Sequence, residues 1–205
     1  MSSAAPVVDL GYSQYEGITL SSEVNQYLGM RFAAPPLGNL RFRAPQEPAA
    51  TTGIQEAKTQ SVASNRLPRK WRPVALCFTK SEDCLFANVW TPASATITSK
   101  LPVWIYIQGG GYASDSNGRY NGSTVVEQSG QNVVVVMFNY RVAAFGFLAS
   151  EKIRANGDLN AGLLDQRLLF RWVKKHIQQF GGDPDHVVIH GASAGAGSVA
   201  LHLLA

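Results

Sequence analysis

The chain has 205 residues, 45% of them hydrophobic and 16% charged, a balance that suits a globular protein burying roughly 70% of its unfolded surface. No apolar run approaches the 18 or so residues of a membrane span; the longest, Val133 to Phe138, is strand-sized. The formal net charge is +4, with the excess concentrated in RLPRKWR, Arg66 to Arg72, which reads as a solvated loop, because no nucleic-acid-binding motif accompanies it and no nucleic-acid partner is expected.

The opening residues, MSSAAPVVDLGYSQYEG, have no basic n-region and no apolar h-region. No secretory signal is visible, and an intracellular location follows if Met1 is the true start. Residues 1 to 84 form a meander in which short strand-like pieces, Gly17 to Leu20 and Tyr27 to Phe32, are separated by Pro/Gly punctuation such as AAPPLGNLRFRAP. Cys77 and Cys84, the only cysteines, are either a short-loop disulfide in an oxidising compartment or two thiols.

From Leu85 the pattern changes. Strand candidates Leu85 to Trp90, Val103 to Ile107, Val133 to Phe138 and Val187 to Ile189 alternate with helical stretches, which predicts a largely parallel sheet covered by helices. Asn121-Gly122-Ser123 is a glycosylation acceptor pattern that matters only in a secreted chain. A helix is predicted from Leu163 to Phe180. Leu164, Leu168, Leu169, Trp172, Val173, His176 and Ile177 lie inward, with Arg167, Arg171, Lys174, Lys175 and Gln178 outside. Gly181-Gly182 ends it.

Val187 to His190 is a β-branched run, Gly191-Ala192-Ser193-Ala194-Gly195 a turn of small residues, and Ala196 to Leu204 a helix with Val199, Leu203 and Ala200 inward. G-x-S-x-G between a strand and a helix is a nucleophile elbow, which thrusts the hydroxyl of Ser193 clear of both elements. The glycines let strand and helix converge, and the helix points its positive end at charge developing on a substrate. The overlapping Gly195-Ala196-Gly197-Ser198-Val199-Ala200 fits the dinucleotide pattern G-x-G-x-x-A, but shows no acidic residue about 20 positions later. That rival also leaves a second turn unexplained: Gln108-Gly109-Gly110-Gly111-Tyr112, directly after a strand. There backbone N–H groups can approach a ligand with no Cβ in the way. Paired with an elbow, this turn reads as an oxyanion hole completed by the N–H of Ala194.

With both turns in view, the chain resembles the type B carboxylesterase and cholinesterase-like family of α/β-hydrolases. The resemblance rests on PPLGNLRFRAPQEP, SEDCLFANVW, LPVWIYIQGGGY, NYRVAAFGFL, AGLLDQRLLFRWVKKHIQQFGGDPDHV and GASAGAGSV, in this order. It implies an incomplete α/β-hydrolase fold, a mostly parallel sheet with flanking helices that stops after the elbow helix. Residues 1–205 would then be the N-terminal part of one such domain. The implied chemistry is serine-type carboxylic ester hydrolysis, with Ser193 as nucleophile, Gly110, Gly111 and Ala194 as oxyanion donors, Tyr112 bordering the pocket for a small-molecule ester, and no metal or organic cofactor. Arg41 with Glu82, and Arg141 with Asp165, are implied as buried structural ion pairs.

Three positions depart from the family. Ala192 stands where glutamate often precedes the nucleophile. Trp71 lies in the region of the quaternary-ammonium tryptophan, but its short loop disfavours choline esters. Cys77 and Cys84 are closer together than the partners of the family's first disulfide.

Family order is serine, then acid, then histidine, so base and acid are expected downstream of Ala205. His176 is expected to be packed in the core. His186 and His190 accompany the strand before the elbow, and His202 lies on the helix after it, so none is placed to serve as base. The isolated chain is therefore expected to be nearly inactive, with Val187 to Ile189 at an open sheet edge. Two other readings remain: a non-catalytic cholinesterase-like binding module, and a truncated product without function. The retained Ser193 argues against the first.

Overall fold

The computed structural model describes residues 5–59, 63–64, 80–114 and 120–204. The basic cluster Arg66 to Arg72, with Trp71 in it, and Cys77 lie outside the described residues, as does the pairing of Cys77 with Cys84; Cys84 itself is buried.

The meander supplies β1 (Val7–Asp9), β2 (Gln14–Glu16), β3 (Ile18–Thr19), β4 (Val24–Arg31) and β5 (Ile54–Glu56), followed by the two-residue strands β6 (Ala63–Ser64) and β7 (Lys80–Ser81). The alternating part contains β8 (Phe86–Pro92), β9 (Leu101–Ile107), α1 (Gly122–Gln128), β10 (Val134–Phe138), α2 (Ala143–Phe147), α3 (Glu151–Asn156), α4 (Ala161–His176), β11 (Gly182–Gly191) and α5 (Ala194–Leu203).

The principal sheet has six strands in the order β11-β9-β10-β8-β4-β3. It is mixed. Pairing is parallel across β11, β9 and β10, where helical crossovers connect the strands. Beyond β10 it becomes antiparallel through β8, β4 and β3, so β3 and β4 of the meander widen the sheet, while β1, β2 and β5 form a separate three-stranded sheet in that order and β6 pairs with β7. The parallel character expected from the sequence is concentrated where the two glycine-rich turns lie.

Alternation along β9 divides the interior. Val103, Ile105 and Ile107 join Leu169, Trp172, Val173 and Ile177 in the larger core cluster. On the other face Trp90, Val135 and Met137 pack with Val126 of α1. The α4 stripe is inward at Leu169, Trp172, Val173 and His176, while Arg167, Arg171, Lys174 and Lys175 are exposed. Leu164 and Leu168 are only half-buried; Asp165 and Gln166 take the innermost places in that turn. The predicted helix to Phe180 tightens at Ile177–Phe180 into a 3₁₀ turn, and Gly181, at φ 81°, ends it in the left-handed conformation.

The inward face of α5 differs from expectation. Ala194, Gly195 and Ser198 are buried, whereas Ala200 is exposed and Leu203 is 78% exposed. The reason is steric: α5 begins so close to the end of β9 that a β-carbon on Gly195 would collide with the carbonyls of Ile107 and Gln108. Only small residues fit that approach. β11 is the outermost strand, bonded within the sheet to β9 alone, and Val188 is half exposed on it.

Candidate active site

Both turns arrive at one edge because their strands are parallel neighbours in register. Tyr106 pairs with His190 and Ile107 with Gly191, so the next residues along each chain, Gln108-Gly109 and Ala192-Ser193, leave the sheet side by side. A β-carbon on Gly109 would stand 2.6 Å from the carbonyl oxygen of Ala192 and 3.0 Å from Cβ of Ser193. One on Gly191 would strike the backbone of Gly195 and Ala196. The missing side chains bring the triple-glycine turn and the elbow into van der Waals contact.

Ser193 holds φ 54° and ψ −123°, a strained combination for a residue with a β-carbon. It occupies the N-cap position of α5, where a serine hydroxyl ordinarily accepts a hydrogen bond from a first-turn N–H. Here it makes no such cap. The backbone closes the turn instead: Gly195 N–H donates to the carbonyl of Ala192 (2.9 Å) and Gly197 N–H to that of Ser193 (3.0 Å). The exposed hydroxyl is left outside the local hydrogen bonding. Ala194 opens the helix, where an amide has no intrahelical acceptor and the helix dipole is positive.

The glycine turn is equally fixed. Gly110 (φ 124°), Gly111 (φ 63°) and Tyr112 (φ 56°) follow one another at positive φ. The carbonyl of Gly110 accepts from the N–H groups of Ala113 and Ser114, both at 3.1 Å, and that of Gln108 accepts from the Tyr140 hydroxyl at 2.9 Å. These bonds hold the carbonyls of Gln108 and Gly110 within the fold of the loop. The Tyr112 ring packs edge-on against Phe147 at 5.0 Å, and a β-carbon on Gly197 would lie 2.8 Å from its hydroxyl. Tyr112 thus joins the glycine loop to the first turns of α5.

The two ion pairs sit in different surroundings. Asp165 accepts from Arg141 Nε (2.8 Å), Nη2 (2.6 Å) and the backbone N–H (2.9 Å), with both side chains almost fully buried. Burial pushes the Asp165 carboxyl up, against the pull of the guanidinium. Arg41 Nε meets Glu82 Oε2 at 2.6 Å, but the arginine side chain is 41% exposed. That pair lies at the surface rather than in the interior, because Arg41 follows an exposed loop turn.

A tether behind the elbow escaped sequence reasoning. The buried Gln166 amide donates to the Ser198 hydroxyl (3.1 Å), and its oxygen meets His202 Nε2 (2.8 Å), which fastens α5 to α4. The available signal was a glutamine within an apolar stripe and a Ser198/His202 pair four residues apart on one helix face. Sequence reasoning also missed Arg31, which grips Asp83 through two bonds (2.7 and 2.9 Å) beside Glu82.

All four histidines are accounted for elsewhere. His202 is in the tether, and His190 packs on Trp104 and Tyr106 at 4.5 and 5.1 Å. His176 lies against Tyr12 and Trp172, and His186 is exposed on β11 before the strand reaches the elbow.

A sequence model described as the carboxylesterase family matches residues 4–205. The chain belongs to the carboxylesterase family. Among solved structures it resembles EstA of Aspergillus niger, with 58% identity and a TM-score of 0.91 over 97% of this chain and 38% of that one. Lipase 2 of Geotrichum candidum is 38% identical over 98% of this chain and 40% of its own length. Acetylcholinesterase of Electrophorus electricus is 40% identical over 89% of this chain and 30% of its own length. The chain therefore spans two fifths or less of the length of each of these relatives. Among the described residues, no helix is long and apolar enough to cross a membrane.

Proposed function

We propose that this chain is the nucleophile-bearing portion of a serine carboxylic ester hydrolase. The observation that carries the reading is the contact of Gly109 with Ala192 and Ser193, which puts a strained, uncapped serine beside a loop of glycine amides. Ser193 Oγ attacks the ester carbonyl carbon, and the N–H groups of Gly110, Gly111 and Ala194 stabilise the resulting oxyanion. The alcohol leaves with a proton, and water then attacks the acyl-enzyme to release the acid and free Ser193. Ala192 puts no carboxylate beside the nucleophile, which supports a neutral ester over a cationic one.

The proton relay needs a base and an acid. Since the four histidines here are engaged in packing, in the tether or before the elbow, the base is assigned to a histidine outside residues 1–205, and the acid to the carboxylate that orients that histidine. On its own this stretch should retain only the acceleration left by binding and an oxyanion hole, on the order of 10³–10⁴ over water.

The test is labelling of the complete protein and its Ser193→Ala variant with a fluorophosphonate, located by peptide mass spectrometry. An adduct on Ser193 alone, absent from the variant, is expected. A cooperatively melting protein that takes no adduct would replace this reading with that of a non-catalytic binding module.

A further inference from the structure

Between the meander and α4 runs a groove of about 440 Å³, sharing no residue with either turn of the candidate active site. Tyr12, Phe32, Leu168, Trp172 and His176 contribute to its wall, with Glu47, Arg171 and Lys175 around them. The polar tips of the two large aromatics are used internally: Trp172 Nε1–H donates to the Tyr12 hydroxyl (3.0 Å), which donates to the carbonyl of Arg31 (2.6 Å). Phe32 and Trp172 are themselves buried, so the apolar surface left to a ligand is that of the half-buried Tyr12, Pro48 and Leu168.

Two polar features remain. His176 is only 7% exposed, its ring is edge-on to Tyr12 and tilted against Trp172, at 5.6 Å from each, and it makes no hydrogen bond among the described residues. Burial and the neighbouring Lys175 lower its pKa, so near neutral pH it is an uncharged ring with one N–H to donate. Lys175 is matched by Glu47 at 3.4 Å, whereas Arg171 has no acidic partner among the described residues. Two cations against one carboxylate leave a single positive charge beside an aromatic wall.

We propose that this groove binds a medium-chain carboxylic acid. The carboxylate lies on Arg171, within reach of the His176 N–H, and the alkyl chain lies over the half-buried Tyr12, Pro48 and Leu168. One uncompensated cation suits a monoanion and repels a cation. The volume, toward the small end of ligand pockets at roughly 300–1,000 Å³, suits a chain shorter than a membrane lipid's.

The experiment uses the complete protein carrying Ser193→Ala, so its outcome is independent of any hydrolysis. Octanoate, octanol and octyltrimethylammonium are titrated, with calorimetry for affinity and the His176 ring signals in NMR for location. Expected are saturable octanoate binding, a shift of the His176 signals, weaker binding of octanol, and none of the ammonium compound. Arg171→Gln, an exposed change on α4, should weaken octanoate about tenfold, the loss of one charge-assisted contact. No saturation, a His176 signal that does not respond because another segment fills the groove, equal affinity for octanol, or unchanged affinity in Arg171→Gln would each overturn the proposal.

Discussion

Gly109 lies against Ser193, with room between them for no side chain: a β-carbon on the glycine would stand 3.0 Å from that of the serine. The contact follows from the parallel register of β9 and β11, in which Ile107 and Gly191 are partners and both strands end at the same level. Two segments more than eighty residues apart thus present a nucleophile and a row of amides to one point. A crossover helix between parallel strands makes that geometry available without any direct link between the turns.

Gly109→Ala should therefore damage chemistry more than folding. The added methyl, 2.6 Å from the Ala192 carbonyl oxygen, must push the elbow away from the glycine loop by about 1 Å to reach ordinary contact. Displacements of about 1 Å from productive geometry cost on the order of 100-fold. In the complete protein kcat/KM for a neutral ester should fall by about that factor, mainly in kcat, while the melting temperature moves by only a few degrees. A variant as fast as the parent would mean that the contact has no bearing on catalysis.

Both turns were legible in the sequence because each is local: glycines and small residues within five positions, next to a β-branched run. The α4 stripe was legible for the same reason. What the sequence hid depends on distant partners. Nothing in VNQYLGMR announces that β4 pairs antiparallel with β8. The outward turn of Leu203 follows once Ala194, Gly195 and Ser198 set the buried face of α5, a face chosen by the close approach of Gly195 to the end of β9. Gly109 was visible as one of three glycines, yet its role as a spacer exists only once Ser193 is beside it.

The two ion pairs should behave differently when broken. Asp165→Asn leaves the Arg141 guanidinium buried without its counter-charge, and Arg141 Nη1 is already buried without a partner among the described residues. A loss of about 3–5 kcal/mol is expected. Glu82→Gln acts on a half-exposed pair, and 0–1 kcal/mol is expected there. Urea unfolding of both variants measures the contrast, and equal losses would contradict it.

Gln166→Leu tests the tether between α4 and α5. Leucine fills comparable space but strands the Ser198 hydroxyl, which is fully buried, at a cost of about 1–3 kcal/mol. Because α5 carries the elbow at its first residue, hydrogen exchange should speed up along Ala194–Leu203 more than along β10. Uniform acceleration across the fold would instead mark a general loss of stability.

His190 gives the molecule an acid-sensitive point. Its ring lies between Trp104 and Tyr106, its Nδ1 is buried with no partner among the described residues, and burial lowers its pKa. The unfolded chain takes up a proton near the ordinary imidazole value of about 6.5, while the folded chain does so only at lower pH. The folded state is then the one with fewer bound protons in that window. Its stability is full above about 6.5 and declines as pH falls toward the folded pKa. His176 and His202 are lowered by burial as well and add to the same slope. His190→Phe keeps the aromatic stack and removes both the titration and the orphaned nitrogen. The variant should melt at or above the parent's temperature at pH 7.5, and should lose less than the parent between pH 6.5 and 5. Calorimetric melts across that range decide the matter: parallel curves for the two proteins would show that this ring contributes nothing to the acid sensitivity.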